Sequence, residues 1–69
     1  MLMNTFNEIL KNLRKENGIG QRELAEALFT TVKTVSHWET GYTEPSIKQL
    51  IMLADYFEIS LDELTGRKQ

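Results

Sequence analysis

The sequence has no cysteine, a single proline, and no uninterrupted apolar run longer than Leu50–Ala54. Without cysteine the chain has neither a disulfide nor a thiolate ligand for a metal, which suits a reducing compartment. A membrane-spanning helix needs about 20 apolar residues, and the run over residues 50–54 is far shorter. The opening MLMNTFNEIL lacks the basic and apolar regions of an export signal. These absences predict a cytoplasmic protein that does not enter a membrane.

The chain also lacks an excess of basic residues, because 10 acidic side chains outnumber 8 lysines and arginines and leave a formal net charge of -2. The two signs are unevenly distributed along the sequence. Residues 1–43 carry equal numbers of each, and the acidic excess lies from Glu44 onward. An anionic partner is therefore expected to prefer the first part of the chain.

Apolar residues recur at helical spacing near the start of the chain. A stripe at i, i+3, i+4 and i+7 predicts a first helix over about residues 6–16, and its members are Phe6, Ile9, Leu10 and Leu13. Thr5 and Glu8 have the spacing of a capping box, and Asn17 with Gly18 supplies a stop. The strong helix formers of residues 21–28 predict a short second helix with Gly20 as its N-cap.

Cap signals predict three further helices. The third spans about residues 32–39 between Thr31 and Gly41, the fourth opens at Pro45 with a capping box of Ser46 and Gln49, and the last opens with Ser60 and Glu63. No stretch alternates long enough to form a strand. The predicted fold is all-α, a compact bundle of five short helices in a single domain over residues 1–69. Its core spans about residues 6–65, and residues 66–69 are a frayed tail or the start of a linker.

The third helix has two faces when residues are placed about 100° apart. Val35 and Trp38 share the inner face, where the tryptophan is expected to be a core residue. The opposite side presents Lys33, Ser36 and His37, with Val32 at its edge. A short helix, a turn of about three residues and this second short helix match the helix-turn-helix description.

Several motifs at consistent spacing carry a family resemblance. They are QRELAEAL over residues 21–28, TVKTVSHWETG over residues 31–41, Pro45 with Ser46, and FEISLDEL over residues 57–64. With them the chain resembles the Cro/C1-type (Xre-like) helix-turn-helix family of phage repressors and bacterial regulators, over about residues 6–65. The resemblance implies a lambda-repressor-like DNA-binding domain whose helix-turn-helix is formed by helices 2 and 3.

The resemblance also implies roles for individual residues. Base edges in the major groove would be contacted by Val32, Lys33, Ser36 and His37, and phosphates by Gln21, Thr31, Thr40, Gly41, Tyr42 and Thr43. Arg14 and Glu39 would form a structural ion pair between helices 1 and 3. The chemistry agrees, since lysine donates to guanine, valine packs on a thymine methyl group, and helix N-termini suit phosphate oxygens.

Two positions depart from the family pattern. The family usually has glycine at the position of Phe29, in a turn where φ is often positive and a bulky side chain is strained. Either this turn has another geometry or Phe29 accepts strain. Gly20 replaces the usual serine or threonine, which removes a side-chain cap and, in the family's terms, a phosphate contact.

Other residues that suggest chemistry have simpler explanations. Asp62 and Glu63 follow a serine cap, where acidic side chains complement the helix dipole. Ser36 and His37 are adjacent on a helix and diverge by about 100°, which does not suit a nucleophile and its base. One histidine and no cysteine make a zinc site improbable. We therefore predict no metal, no cofactor and no enzymatic activity.

These observations predict sequence-specific binding to double-stranded DNA by a transcriptional regulator, a repressor that occupies a pseudo-palindromic operator as a homodimer. The family suggests helix 5, with Leu61 and Leu64, or the loop after helix 3 as the dimer surface. The alternative is a protein-interaction module, such as an antitoxin that binds a toxin and autoregulates through DNA. A further protein partner or a C-terminal domain is compatible with both. A polar third-helix face favours DNA, because a protein partner would favour exposed apolar anchors there.

Overall fold

Five helices make up most of residues 5–66, the range that the computed structural model describes. They are α1 (Phe6–Glu16), α2 (Gln21–Ala27), α3 (Val32–Thr40), α4 (Ile47–Phe57) and α5 (Leu61–Thr65). This range contains no strand, so the predicted all-α class is confirmed. The observed α2 ends one residue earlier than predicted, and α3 extends one residue further. Of the predicted tail, residues 67–69 lie outside the described range.

Two of the three predicted capping boxes are present. In α4 the Ser46 hydroxyl accepts from the Gln49 backbone N–H at 3.1 Å, and the Gln49 side chain accepts from the Ser46 N–H at 2.8 Å. Ser60 and Glu63 make the same reciprocal pair at the start of α5. The predicted box at α1 is wrong. Thr5 is the N-cap but makes no side-chain cap bond, and its hydroxyl donates to the side-chain oxygen of Asn7.

The core collects residues from all five helices. Its fully covered members include Leu10 of α1, Leu24 of α2, Val35 and Trp38 of α3, Leu53 of α4 and Leu64 of α5. Trp38 is 1% exposed, as predicted for a core residue. Helix α3 packs against α1 and α2, whereas α5 packs against α4 and α1. Burial on one side therefore fixes α3 in place and leaves its other side at the surface.

The turn between α2 and α3 has the left-handed geometry that glycine favours. Phe29 has a φ of 58° and is 87% exposed. The Phe29 N–H donates to the Glu26 carbonyl at 3.2 Å, and the Thr30 N–H donates to the Ala25 carbonyl at 2.9 Å. These bonds close α2 and turn the chain toward α3. Of the two alternatives for this turn, the structure has the one in which Phe29 accepts a positive φ.

Within residues 5–66, no helix is both long enough and apolar enough to cross a membrane.

Candidate nucleic-acid interface

The side of α3 that faces away from the core is mainly polar. Lys33 is exposed, Ser36 and His37 are half-buried, and Val32 is 36% exposed. We call these four residues the outer face of α3. The inner face is formed by Val35 and Trp38, which are 0% and 1% exposed. The structure therefore places all four residues predicted to contact bases on one accessible side of one helix.

Thr31 caps the start of α3. Its hydroxyl accepts from the Thr34 backbone N–H at 3.1 Å and donates to the Thr34 hydroxyl at 3.0 Å. The single hydroxyl hydrogen of Thr31 is thus directed at Thr34. A phosphate contact from this hydroxyl therefore requires it to rotate away from that partner.

The end of α3 is held by several bonds to one carbonyl group. Gly41 closes the helix with a φ of 82°. The His37 carbonyl then accepts from the Tyr42 N–H at 2.9 Å, the Thr43 N–H at 3.3 Å and the Thr40 hydroxyl at 3.2 Å. The predicted phosphate-contacting segment, residues 40–43, is thereby tied to the last turn of α3. Its residues are exposed.

Glu39 joins three helices through its carboxylate. Arg14 of α1 donates to it from Nε at 2.6 Å and from the second guanidinium nitrogen at 3.1 Å, and Gln21 of α2 donates from its amide at 3.0 Å. The guanidinium also donates to the Ile19 carbonyl at 3.0 Å. The side chains of Arg14 and Glu39 are 12% and 4% exposed. We call these four residues, Arg14, Ile19, Gln21 and Glu39, the Glu39 network. Its bidentate ion pair links α3 to α1, and the bond from Gln21 links α3 to α2.

The hydrogen bond from Glu39 raises the pKa of the Arg14 guanidinium, and the nearby Glu39 charge acts in the same direction, while burial opposes both. Arginine is already protonated at all ordinary pH values. The network therefore keeps its cation throughout the physiological range. Among the described residues, no group of histidine, cysteine, aspartate and glutamate side chains is placed to hold a metal ion.

Two contacts at this surface were not predicted from the sequence. One is the bond from Gln21 to Glu39, which occupies part of a side chain predicted to contact phosphate. The other is the contact between the rings of His37 and Tyr42, whose centroids are 4.7 Å apart. The stop signal at Gly41 could have indicated the second contact, because this kind of helix end folds the next residue back onto the last turn.

The fold and this surface agree with a known protein family. A family model described as Helix-turn-helix matches residues 10–64, which is most of the chain and includes α2, α3 and the turn between them. The chain belongs to this family. The Cro/C1-type membership predicted from the motifs is thereby confirmed.

Individual relatives extend the comparison. The chain is 36% identical over 64 residues to the HTH-type transcriptional activator BcrR of Enterococcus faecalis, a match that covers 93% of this chain and 31% of BcrR. It superposes with a TM-score of 0.88 on the P22 c2 repressor protein in complex with a synthetic operator, at 26% identity, covering 96% of this chain and 100% of the repressor chain. The chain thus spans about a third of BcrR and the whole of that repressor chain.

A domain of this fold also occurs within an enzyme. Hydroxypropylphosphonic acid epoxidase from S. wedmorenis matches with a TM-score of 0.79 and 34% identity, over 87% of this chain and 32% of the epoxidase chain. The fold is therefore shared by regulators and by one part of a larger catalytic protein. The function of the present chain has to be argued from its own surface.

Proposed function

We propose that this protein is a sequence-specific double-stranded DNA-binding transcriptional regulator that acts as a repressor by occupying an operator. The observation that carries the proposal is the outer face of α3. It presents Lys33, Ser36 and His37 at the surface, while Val35 and Trp38 hold the same helix in the core. A rigid helix with one polar accessible side fits the major groove of DNA.

Each group on this face has a chemical role in the proposal. Lys33 donates to guanine O6 and N7, Val32 packs on a thymine methyl group, and Ser36 and His37 donate to or accept from base edges. In the segment of residues 40–43, the exposed Thr43 side chain supplies a hydroxyl group to a phosphate. The backbone N–H groups of residues 41–43 already donate within the end of α3. Gln21 contributes from the start of α2 with the part of its amide that Glu39 does not use.

The face argues against the main alternative, a protein-interaction module such as an antitoxin. Val32 is the single apolar residue among its four members, and it is only 36% exposed. Protein interfaces concentrate their binding energy in buried aromatic and arginine anchors. The outer face of α3 offers neither. A protein partner would therefore have to bind elsewhere on the molecule.

A homodimer is part of the proposal, because one short helix reads few base pairs. The domain measures 32 × 24 × 23 Å, so that two copies fit on half-sites about 34 Å apart. Of the two helix 5 residues considered for the dimer contact, Leu64 is 0% exposed and belongs to the core, whereas Leu61 is 43% exposed. Leu61 is the member of that pair available to a second copy. We further propose that the protein acts in the cytoplasm.

Selection of duplexes from a random DNA pool tests the proposal. We expect enrichment of a pseudo-palindromic sequence and an affinity that falls as salt rises, because phosphate contacts release counterions. Failure to enrich any sequence, together with affinity independent of salt, would rule out the proposed function. A repressor should also lower transcription from a promoter that overlaps the enriched site. An increase would show an activator instead.

A further inference from the structure

The rings of His37 and Tyr42 meet beside the outer face of α3. Their centroids are 4.7 Å apart and their planes are inclined by 57°. Tyr42 is 76% exposed, so the ring is not held by the core, whereas His37 is half-buried. Tilted ring contacts at this distance are attractive. The imidazole predicted to read a base therefore has a neighbour on one side before any DNA is present.

The backbone explains why the two rings meet. Gly41 adopts a left-handed conformation with a φ of 82°, and the Tyr42 N–H then donates to the His37 carbonyl at 2.9 Å. This bond across the helix end brings the backbone of Tyr42 next to the last turn of α3. A second bond from the Thr43 N–H reaches the same carbonyl at 3.3 Å. The position of the tyrosine ring thus follows from how the helix ends.

We infer that Tyr42 is a positioning residue for His37, whose ring holds the imidazole toward the major groove and so sets the base preference at the position that His37 reads. The inference rests on the proposed DNA-binding function. A histidine on a short surface helix otherwise samples several rotamers. Restricting the His37 side chain before binding reduces the conformational entropy that it loses when it contacts a base. It also keeps the imidazole in a geometry that suits this contact.

This role differs from the phosphate contact implied for Tyr42 by the family resemblance. A phosphate contact uses the phenolic hydroxyl and is insensitive to sequence. Positioning uses the ring and acts through the base preference of His37. Tyr42→Phe keeps the ring and removes the hydroxyl, while Tyr42→Ala removes both. The two variants therefore separate the roles, and the exposure of Tyr42 makes both compatible with folding.

The probe is the duplex that the wild-type protein enriches from a random pool, along with derivatives substituted at each base pair. We expect Tyr42→Ala to bind the enriched duplex roughly two- to tenfold more weakly, the range that one aromatic contact corresponds to. It should lose base preference at the same position as His37→Ala. Tyr42→Phe should retain both affinity and preference. The double variant should bind no more weakly than His37→Ala alone.

A measurement without DNA tests the contact directly. The imidazole proton resonances of His37 should move in Tyr42→Ala, which removes the ring beside them, and stay near their wild-type positions in Tyr42→Phe. Thermal unfolding of both variants should match the wild type. Unchanged imidazole resonances in Tyr42→Ala would show that the ring does not hold His37 and would overturn the inference.

Two binding results would also overturn it. One is an equal loss in Tyr42→Phe and Tyr42→Ala that is uniform over all base pairs and lowers the salt dependence, since this identifies a phosphate contact. The other is additive losses in the double variant, since independent residues add. Failure of the wild-type protein to enrich any duplex would refute the proposed function itself. That outcome is distinct from one in which the wild-type protein enriches a duplex and Tyr42→Ala binds it with unchanged base preference.

Discussion

Phe29 combines a backbone conformation that large side chains rarely adopt with an almost fully exposed ring. Its φ is 58° and its side chain is 87% exposed. A left-handed conformation costs about 1–2 kcal/mol for an ordinary residue, and glycine avoids this cost while losing more entropy on folding. We therefore expect Phe29→Gly to raise the free energy of unfolding by about 0.5–1 kcal/mol. Urea denaturation would measure the change.

Two variants serve as controls for this residue. Phe29→Ala keeps the positive φ and removes an exposed ring, so its stability should stay near that of the wild type. Gly41→Ala introduces the same strain at a φ of 82°, where a Cβ would meet Asn7 only at an ordinary contact distance of 3.7 Å, and should lose about 1 kcal/mol. A lower stability of Phe29→Gly would mean that the ring makes a favourable contact that outweighs the strain.

At the scale of single helices, the two faces of α3 have separable functions. Lys33→Ala and His37→Ala should each weaken binding to the enriched duplex by about 1–3 kcal/mol, the range for a base contact, without changing thermal stability. Trp38→Ala should unfold the domain, because truncating a buried aromatic residue costs about 3–5 kcal/mol and small domains have little more stability than that. Equal melting losses in all three variants would contradict the division into faces.

The helix caps provide a second test at this scale. Ser46 makes a reciprocal capping box at the start of α4, whereas Thr5 makes no side-chain cap bond at the start of α1. Ser46→Ala should cost about 1 kcal/mol of unfolding free energy, the usual value for a lost N-cap. Thr5→Ala is the matched control and should cost clearly less. Similar losses in both would indicate that Thr5 caps α1 in solution.

For the molecule as a whole, the Glu39 network links α1, α2 and α3 through one carboxylate. Arg14→Met leaves a carboxylate that is 4% exposed without its cation, and we expect a loss of about 3 kcal/mol. Changing Glu39 to methionine as well should restore most of the stability, since apolar residues often replace a buried ion pair at little cost. DNA affinity should remain reduced in the double variant, because the bonds that orient α3 are gone.

For the Arg14 and Glu39 variants, urea denaturation would measure the free energy of unfolding, and duplex binding would measure the DNA affinity. Lys11→Met removes one exposed positive charge from the same helix and controls for net charge. If the double variant binds DNA as well as the wild type, the pair does not orient α3 for binding. Because the pKa of Arg14 is raised in the fold, its contribution is lost only as pH rises to strongly alkaline values. Near neutral pH, titration of Arg14 should therefore not change the free energy of unfolding.

Local patterns predicted most of the helices, because the interactions that start and end a helix join residues a few positions apart. Ser46 with Gln49 and Ser60 with Glu63 are such pairs, and both are present. The pair of Thr5 and Glu8 has the same spacing, but Thr5 makes no side-chain cap bond, and its hydroxyl donates to the side-chain oxygen of Asn7. Spacing therefore identifies where a helix starts more reliably than which side chains make its cap bonds.

Contacts between distant parts of the chain were harder to predict. The family resemblance implied the pair of Arg14 and Glu39. The further bond from Gln21 to the same carboxylate was not predicted, because it depends on how α1 and α2 pack against α3. The geometry at Phe29 stayed open for the same reason. Sequence shows that a large residue occupies a turn that usually holds glycine, while the observed φ depends on how α2 and α3 both pack into one core.

The helical periods, most of the caps and the polar composition of the outer face of α3 could be predicted from the sequence, since they depend on neighbours along the chain. Which side chains are buried or paired follows from the packing of the helices. It covered Leu64 and left Leu61 accessible, and it set the Tyr42 ring beside His37. The physical reason is that burial and long-range hydrogen bonds depend on groups that only folding brings together.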